Sequence, residues 1–152
     1  MEEDAALQSS RYYRMTCGLP ALVHPTYTDM VVVKTGSVIG ITMPSSLGAE
    51  VIREMRDQES AVGAIVGHHR SGRWTFIVRA DLTTDDSDHI ALFAELYRLD
   101  VWVVRDGAEI ALPISPSDVF RHWVEEPRDK FRPAASVVVS AVRRVREKSN
   151  AP

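Results

Sequence analysis

The chain has 152 residues, 45% of them hydrophobic and 26% charged, with a formal net charge of −3 at pH 7. That balance fits one globular domain with a single core; it excludes a disordered chain, and its acidic sign gives bulk charge no pull on nucleic acid. One cysteine, Cys17, excludes an internal disulfide, and the acidic start Met1-Glu2-Glu3-Asp4 lacks the basic region of a signal peptide. With no apolar run of membrane-spanning length, the expected setting is the cytoplasm and no membrane partner.

Residues 1–10 are polar and acidic, and are expected to be a mobile tail ahead of a domain over 11–148, with a C-terminal tail at 149–152. Leu19-Pro20-Ala21-Leu22-Val23 reads as an edge strand, because Pro20 has no N–H for a central one. Three hairpins are then expected. Val31-Val32-Val33 and Val38-Ile39-Gly40-Ile41 flank a turn at 34–37, the runs 61–66 and 74–78 flank a turn at 67–73, and Val101-Trp102-Val103-Val104 and 108–112 flank a turn at 105–107. Their glycines, Gly36, Gly72 and Gly107, recur at intervals of 36 and 35 residues. With a helix after each hairpin the order is ββα-ββα-ββα, as a repeat or as a chance spacing.

The first helix is expected to be capped by Ser45 or Ser46, with Leu47, Val51, Ile52 and Met55 inward and Glu50, Arg53, Glu54 and Arg56 solvated. The second follows the cap-rich run 83–88 and carries Ile90, Phe93, Leu96 and Tyr97. That acidic run reads as capping in preference to metal binding, since it lacks a calcium-loop pattern. Ser115 or Ser117 can cap a short helix reaching Val119, Phe120 and Trp123, and a charged connector with two prolines leads to a last helix from about Ala134. The expected fold class is therefore α+β: a single domain with a largely antiparallel sheet and helices mainly on one face.

Two clusters are candidate ligand or partner sites. The turn His68, His69, Arg70, Ser71 and Arg73 offers guanidinium and hydroxyl donors that can grip a phosphate, or it is a solvated turn; adjacent histidines on a strand point to opposite faces and make no metal pair. The second is basic. Residues 1–120 hold 10 Lys and Arg against 17 acids, whereas residues 121–152 hold 8 against 4. Arg128, Lys130, Arg132, Arg143, Arg144 and Arg146 are thus a candidate patch for an acidic protein or nucleic acid, or a solvated helix end. Trp74, Trp102 and Trp123 read as core, with base stacking as the other possibility. Neither a catalytic residue, a metal ligand set nor a cofactor motif is found.

The succession Met43-Pro44…Leu47-Gly48, Gly63-Ala64-Ile65-Val66-Gly67, Arg73-Trp74-Thr75-Phe76, Leu92-Phe93-Ala94-Glu95-Leu96 and 107–113 resembles small actinobacterial proteins. These are similar to the N-terminal domain of bifunctional DNA primase/polymerase proteins, and the resemblance covers about residues 18–142. An active member wants a strand ending in Asp-x-Asp or Asp-x-Glu to hold metals. Asp86-Ser87-Asp88 has those letters and Ser87-Asp88-His89 the family's Ser-x-His, but both fall where a helix begins; Asp100-Val101-Trp102 has tryptophan for the second acid. The resemblance implies a catalytically inert relative of a nucleotide-handling fold. The expected function is a non-enzymatic binding or regulatory module, with a metal-dependent nucleotide-processing enzyme as the alternative, and self-association through an exposed sheet edge.

Overall fold

The β-branched and aromatic runs become strands, but they pair differently from the local pattern. A computed structural model describes residues 4–82, 86–114 and 118–150, with Asp86 and Ser87 described by backbone alone. The elements are α1 (Ala5–Met15), β1 (Ala21–Val23), β2 (Val31–Lys34), β3 (Val38–Pro44), α2 (Ser45–Asp57), β4 (Ile65–His68) and β5 (Arg73–Arg79), then α3 (Asp86–Arg98), β6 (Trp102–Val104), β7 (Glu109–Leu112), β8 (Arg121–Glu125) and α4 (Ala135–Ser149). The strands form two antiparallel sheets, ordered β1-β2-β7 and β6-β3-β5-β4-β8, so the fold is a single α+β domain. Among the described residues no helix is long and apolar enough to cross a membrane.

Strand alternation places the larger sheet in the middle. On one face Ile39, Ile41, Met43, Ile65, Phe76 and Val78 pack with Val51 and Met55 of α2, Leu96 of α3 and Val138 and Val142 of α4. On the other, Val38, Val66 and Ile77 meet Val31, Val33, Ile110 and Leu112 of the smaller sheet and Ala6 and Tyr13 of α1. The layers touch at Gly40, where a Cβ would stand 2.9 Å from both Ile110 Cδ1 and Thr75 Cγ2.

Of the three expected hairpins β4–β5 forms, with His68 opposite Arg73 and Gly72 in the turn at φ 68°. The other two expected hairpins do not form. β2 pairs with β1 and β7, whereas β3 pairs with β5 and β6. The segments 31–44 and 102–112 thus run side by side and change sheet at the same corner, where Thr35 donates from its N–H (3.0 Å) and Oγ1 (2.9 Å) to the Ala108 carbonyl. Strands whose residues are buried on both sides can serve two sheets, which is how a corner is built. The evenly spaced glycines therefore mark one hairpin turn and two corners, and α1, β1 and β8 stand outside any ββα repeat.

Other expectations are corrected as well. Residues 5–10, expected to be mobile, begin α1: Asp4 accepts from the Ala6 N–H (2.8 Å), and Ala6, Ser10 and Tyr13 are buried at helical spacing. The short helix through Phe120 to Trp123 is replaced by β8, with residues 115–117 outside the described residues. β1 is an edge strand as its proline requires, and α2 lacks a side-chain cap because Pro44 holds that position. The cap-rich residues 83–85 also lie outside the described residues. Ile90 and Tyr97 are exposed, while Leu96 is buried. Glu54 is buried, not solvated: it accepts from Arg144 Nε (3.0 Å) and Lys148 Nζ (2.6 Å), which hold its carboxyl below the usual range.

Candidate functional site: a polar cleft beside β7

The face of the larger sheet turned toward the smaller one changes character along every strand. On β3 it runs Val38, Gly40, Thr42; on β4, Val66, His68; on β5, Ile77, Thr75, Arg73; on β8, Trp123, Arg121. The apolar end lies in the cluster shared with the smaller sheet. Beyond β7 the polar end is left uncovered, because the smaller sheet has three strands against five. The result is a cleft of about 400 Å³ lined by Thr42, His68, Arg73, Thr75, Trp102, Arg121 and the edge residues Glu109 to Ala111, with Ser71 at its rim.

The five turn residues divide between two faces and solvent. His68 enters the cleft with Nε2 2.9 Å from Thr75 Oγ1. Burial first, then the charges of Arg121, His122 and Arg73, lower its pKa from the ordinary histidine value. At neutral pH the ring is therefore uncharged and sits in a positive field. His69 lies on the opposite face, stacked at 4.6 Å on His122, whose ring lies across Gly67. Ser71 Oγ accepts from the Arg73 N–H (3.3 Å), and Arg70 is exposed with no partner among the described residues. The expected split of the two histidines holds, and the five residues are not gathered on one surface.

Arg73 is committed within the fold. Its Nε donates to Thr42 Oγ1 (3.2 Å), Nη2 to the carbonyls of Thr42 (2.9 Å) and Asp100 (2.8 Å), and Nη1 to Asp100 Oδ1 (3.1 Å). Its guanidinium also lies 3.8 Å from the centre of the Trp102 ring. Trp102 was expected in the core and is instead 46% exposed, stacked under this cation. Trp74 and Trp123 do border the two cores.

Arg121 is different. Its side chain is 19% exposed, and its nearest acid, Asp118, is 4.0 Å away, beyond hydrogen-bond reach. Asp118 is already used: Oδ1 accepts from the N–H groups of Phe120 (2.8 Å) and Arg121 (3.1 Å), and Oδ2 from Ile114 N–H (3.4 Å). Among the described residues the Arg121 guanidinium has no hydrogen-bonded acceptor. Sequence reasoning missed it by reading residues 119–123 as helix; the alternation Arg121-His122-Trp123-Val124 was the available signal.

Several of the six cations near the C-terminus are engaged within the fold. Arg143 makes two bonds to Glu95 on α3 (3.0 and 2.7 Å), Arg144 holds Glu54 on α2, and Arg132 donates to the carbonyls of Cys17 (3.2 Å) and Gly18 (3.1 Å) after α1. The Lys130 stem lies against Gly18. Arg128 and Arg146 are exposed, at separate places in the chain. Three of the six, Arg132, Arg143 and Arg144, are thus held by groups elsewhere in the fold. Cys17 is buried, and burial pushes its thiol pKa up, which fits a packed rather than a nucleophilic thiol.

The residues expected to mimic a metal-bearing motif are also dispersed. Asp88 lies on α3, His89 contacts Arg105 and packs edge-on against Phe93, and Asp100 is held by Arg73. Among the described residues no group of three His, Cys, Asp or Glu is placed to hold a metal ion. Comparison with protein-family models, with curated proteins and with solved structures finds no match to this chain.

Proposed function

We propose that the chain is a non-enzymatic binding module that takes an anionic ligand in the cleft beside β7. The observation that carries this is Arg121: a guanidinium four-fifths buried, 4.0 Å from the Asp118 carboxylate but without a hydrogen-bonded acceptor among the described residues, opening on a cleft whose histidine has a lowered pKa. A charged donor removed from water in this way gains most from a carboxylate or phosphate, with which arginine makes short, paired bonds. Thr42, Thr75 and Ser71 add hydroxyl groups at the same surface.

The module is also a catalytically inert relative of the nucleotide-handling domain it resembles. Support comes from the position of the motif-like acids, on a helix and under an arginine rather than together at a strand end. A reducing, cytoplasmic setting agrees with a lone, buried free thiol.

The test is calorimetric titration of inorganic phosphate and succinate into the whole chain at low salt, beside Arg121→Gln. Binding is expected in the parent chain and at least a tenfold loss in the variant, with the melting curve showing that the variant folds. Equal affinity in the two chains, or no binding in either, refutes the site. Magnesium-dependent hydrolysis of a nucleoside triphosphate by the purified chain would instead establish the enzyme.

A further inference from the structure

One wall of the cleft is the free edge of a strand. Thr35, next in register after the Lys34–Glu109 pair, donates its N–H to the Ala108 carbonyl, which turns the backbone of Ala108 toward β2. Antiparallel alternation then turns Ile110 and Leu112 inward as well and points the N–H and C=O of Glu109 and Ala111 away from β2. β7 is the last strand of its sheet, and no described residue takes up those outward groups.

Of the other three edges, β6 is only three residues long. β1 is three residues long, follows Pro20 and lies beside α1, while β8 carries a register shift against Ile65 and Val66. Short strands, proline and bulges are the usual means of blunting an edge. β7 is one residue longer than β1, has Pro113 only after its last residue and pairs with β2 without a register shift, and the floor beside it crosses the whole larger sheet, from Trp102 on β6 through Thr42, Arg73, Thr75 and His68 to Arg121 on β8.

We infer that the cleft receives an extended acidic peptide segment of a partner protein. The segment adds to β7 as a fourth strand of the smaller sheet and places an aspartate or glutamate carboxylate on Arg121. This rests on the anion-site reading and adds the class of ligand. Outward N–H and C=O groups of Glu109 and Ala111 bind the main chain of any extended segment, and Arg121 selects one that carries an acid.

The probe is a capped heptapeptide alternating threonine and valine around one central aspartate, titrated into the whole chain at low salt. Two versions carry N-methyl groups on one or the other alternate set of residues, and a third has asparagine for aspartate. In a strand added at an edge only one alternate set faces β7, so one methylated peptide should bind at least tenfold more weakly and the other should keep its affinity. The asparagine peptide should also lose at least tenfold in the parent chain, and Arg121→Gln should bind the aspartate and asparagine peptides alike. Equal effects of the two methylation sets overturn the strand. Phosphate binding without peptide binding overturns this inference alone, whereas absence of both removes the anion site as well. Should Arg121→Gln fail to fold, the three altered peptides decide the matter on the parent chain.

Discussion

Replacing Arg73 by alanine should unfold the chain far more readily than replacing Arg70, three residues earlier in the same turn. Arg73 donates four hydrogen bonds, two of them to backbone carbonyls, and its side chain is 12% exposed. A hydrogen bond from a charged donor contributes about 1.5–3 kcal/mol, and a cation over a partly exposed indole about 0.5–1 kcal/mol. The ion pair with Asp100 adds little, since that carboxylate is 57% exposed. These contributions overlap, because one guanidinium makes them all, so the net loss is about 2–4 kcal/mol. Asp100 sits at φ 61°, and Arg73 holds its carbonyl and side chain, so the α3–β6 turn should loosen too. Urea unfolding followed by tryptophan emission measures the loss, and the Trp102 signal should also change in the folded state as its stacked cation is removed. Arg73→Lys keeps the charge but not the planar fork, and should recover less than half. Arg70→Ala should stay within about 0.5 kcal/mol of the parent chain. An Arg73→Ala chain as stable as Arg70→Ala would refute the clamp and return Arg73 to the pool of ligand-binding groups.

Tyr13 joins α1 to the rest, donating to the Pro113 carbonyl and accepting from Trp123 Nε1 (3.1 Å); Tyr13→Phe should cost about 1–3 kcal/mol by chemical denaturation, as both partners lose a bond. Burial pushes the Tyr13 phenol up to about 12, so the folded state holds that proton more tightly than the unfolded chain. The resulting stability is present below pH 10 and declines between about 10 and 12; in Tyr13→Phe that part of the alkaline decline should vanish, as thermal melts across the range would show. At the acid end the signs reverse. The lowered pKa values of Glu54, bound by Lys148 and Arg144, and Glu95, bound by Arg143, give stability that is present above the ordinary glutamate value and lost as pH falls through the folded one. Glu54→Gln should flatten the acid limb of the stability profile, and an unchanged limb would refute the role of this carboxylate.

What the sequence disclosed was what is local. The β4–β5 hairpin is closed by residues seven apart or fewer at its turn end, and Gly72 has the positive φ such a turn favours. At 34–37 and 105–107 the turn residues look the same, yet the partner of Thr35 is Ala108, 73 positions away, and no local pattern carries that information. α1 was hidden because its buried positions are Ala6, Ser10 and Tyr13, small or polar residues that make no apolar stripe. The candidate site was half visible: His68 and Arg73 were named for a phosphate grip, but whether an arginine is free or taken depends on Thr42 and Asp100, which only folding brings to it.

The same non-local pairing explains why a polar surface lies open inside a two-sheet arrangement. Carrying β2 into β3 and β6 into β7 fixes where the smaller sheet begins, and its three strands then cover only the apolar end of a five-stranded face. Closing the remainder with a fourth strand of this chain would bury His68 and Arg121 further, and the guanidinium of the latter has no hydrogen-bonded acceptor among the described residues. Its counter-charge, Asp118 at 4.0 Å, makes no hydrogen bond to the guanidinium, so burying it further leaves its donors unsatisfied, whereas an incoming carboxylate would take them up. The composition of the uncovered end therefore disfavours permanent closure by the chain itself and favours a ligand that brings its own negative charge.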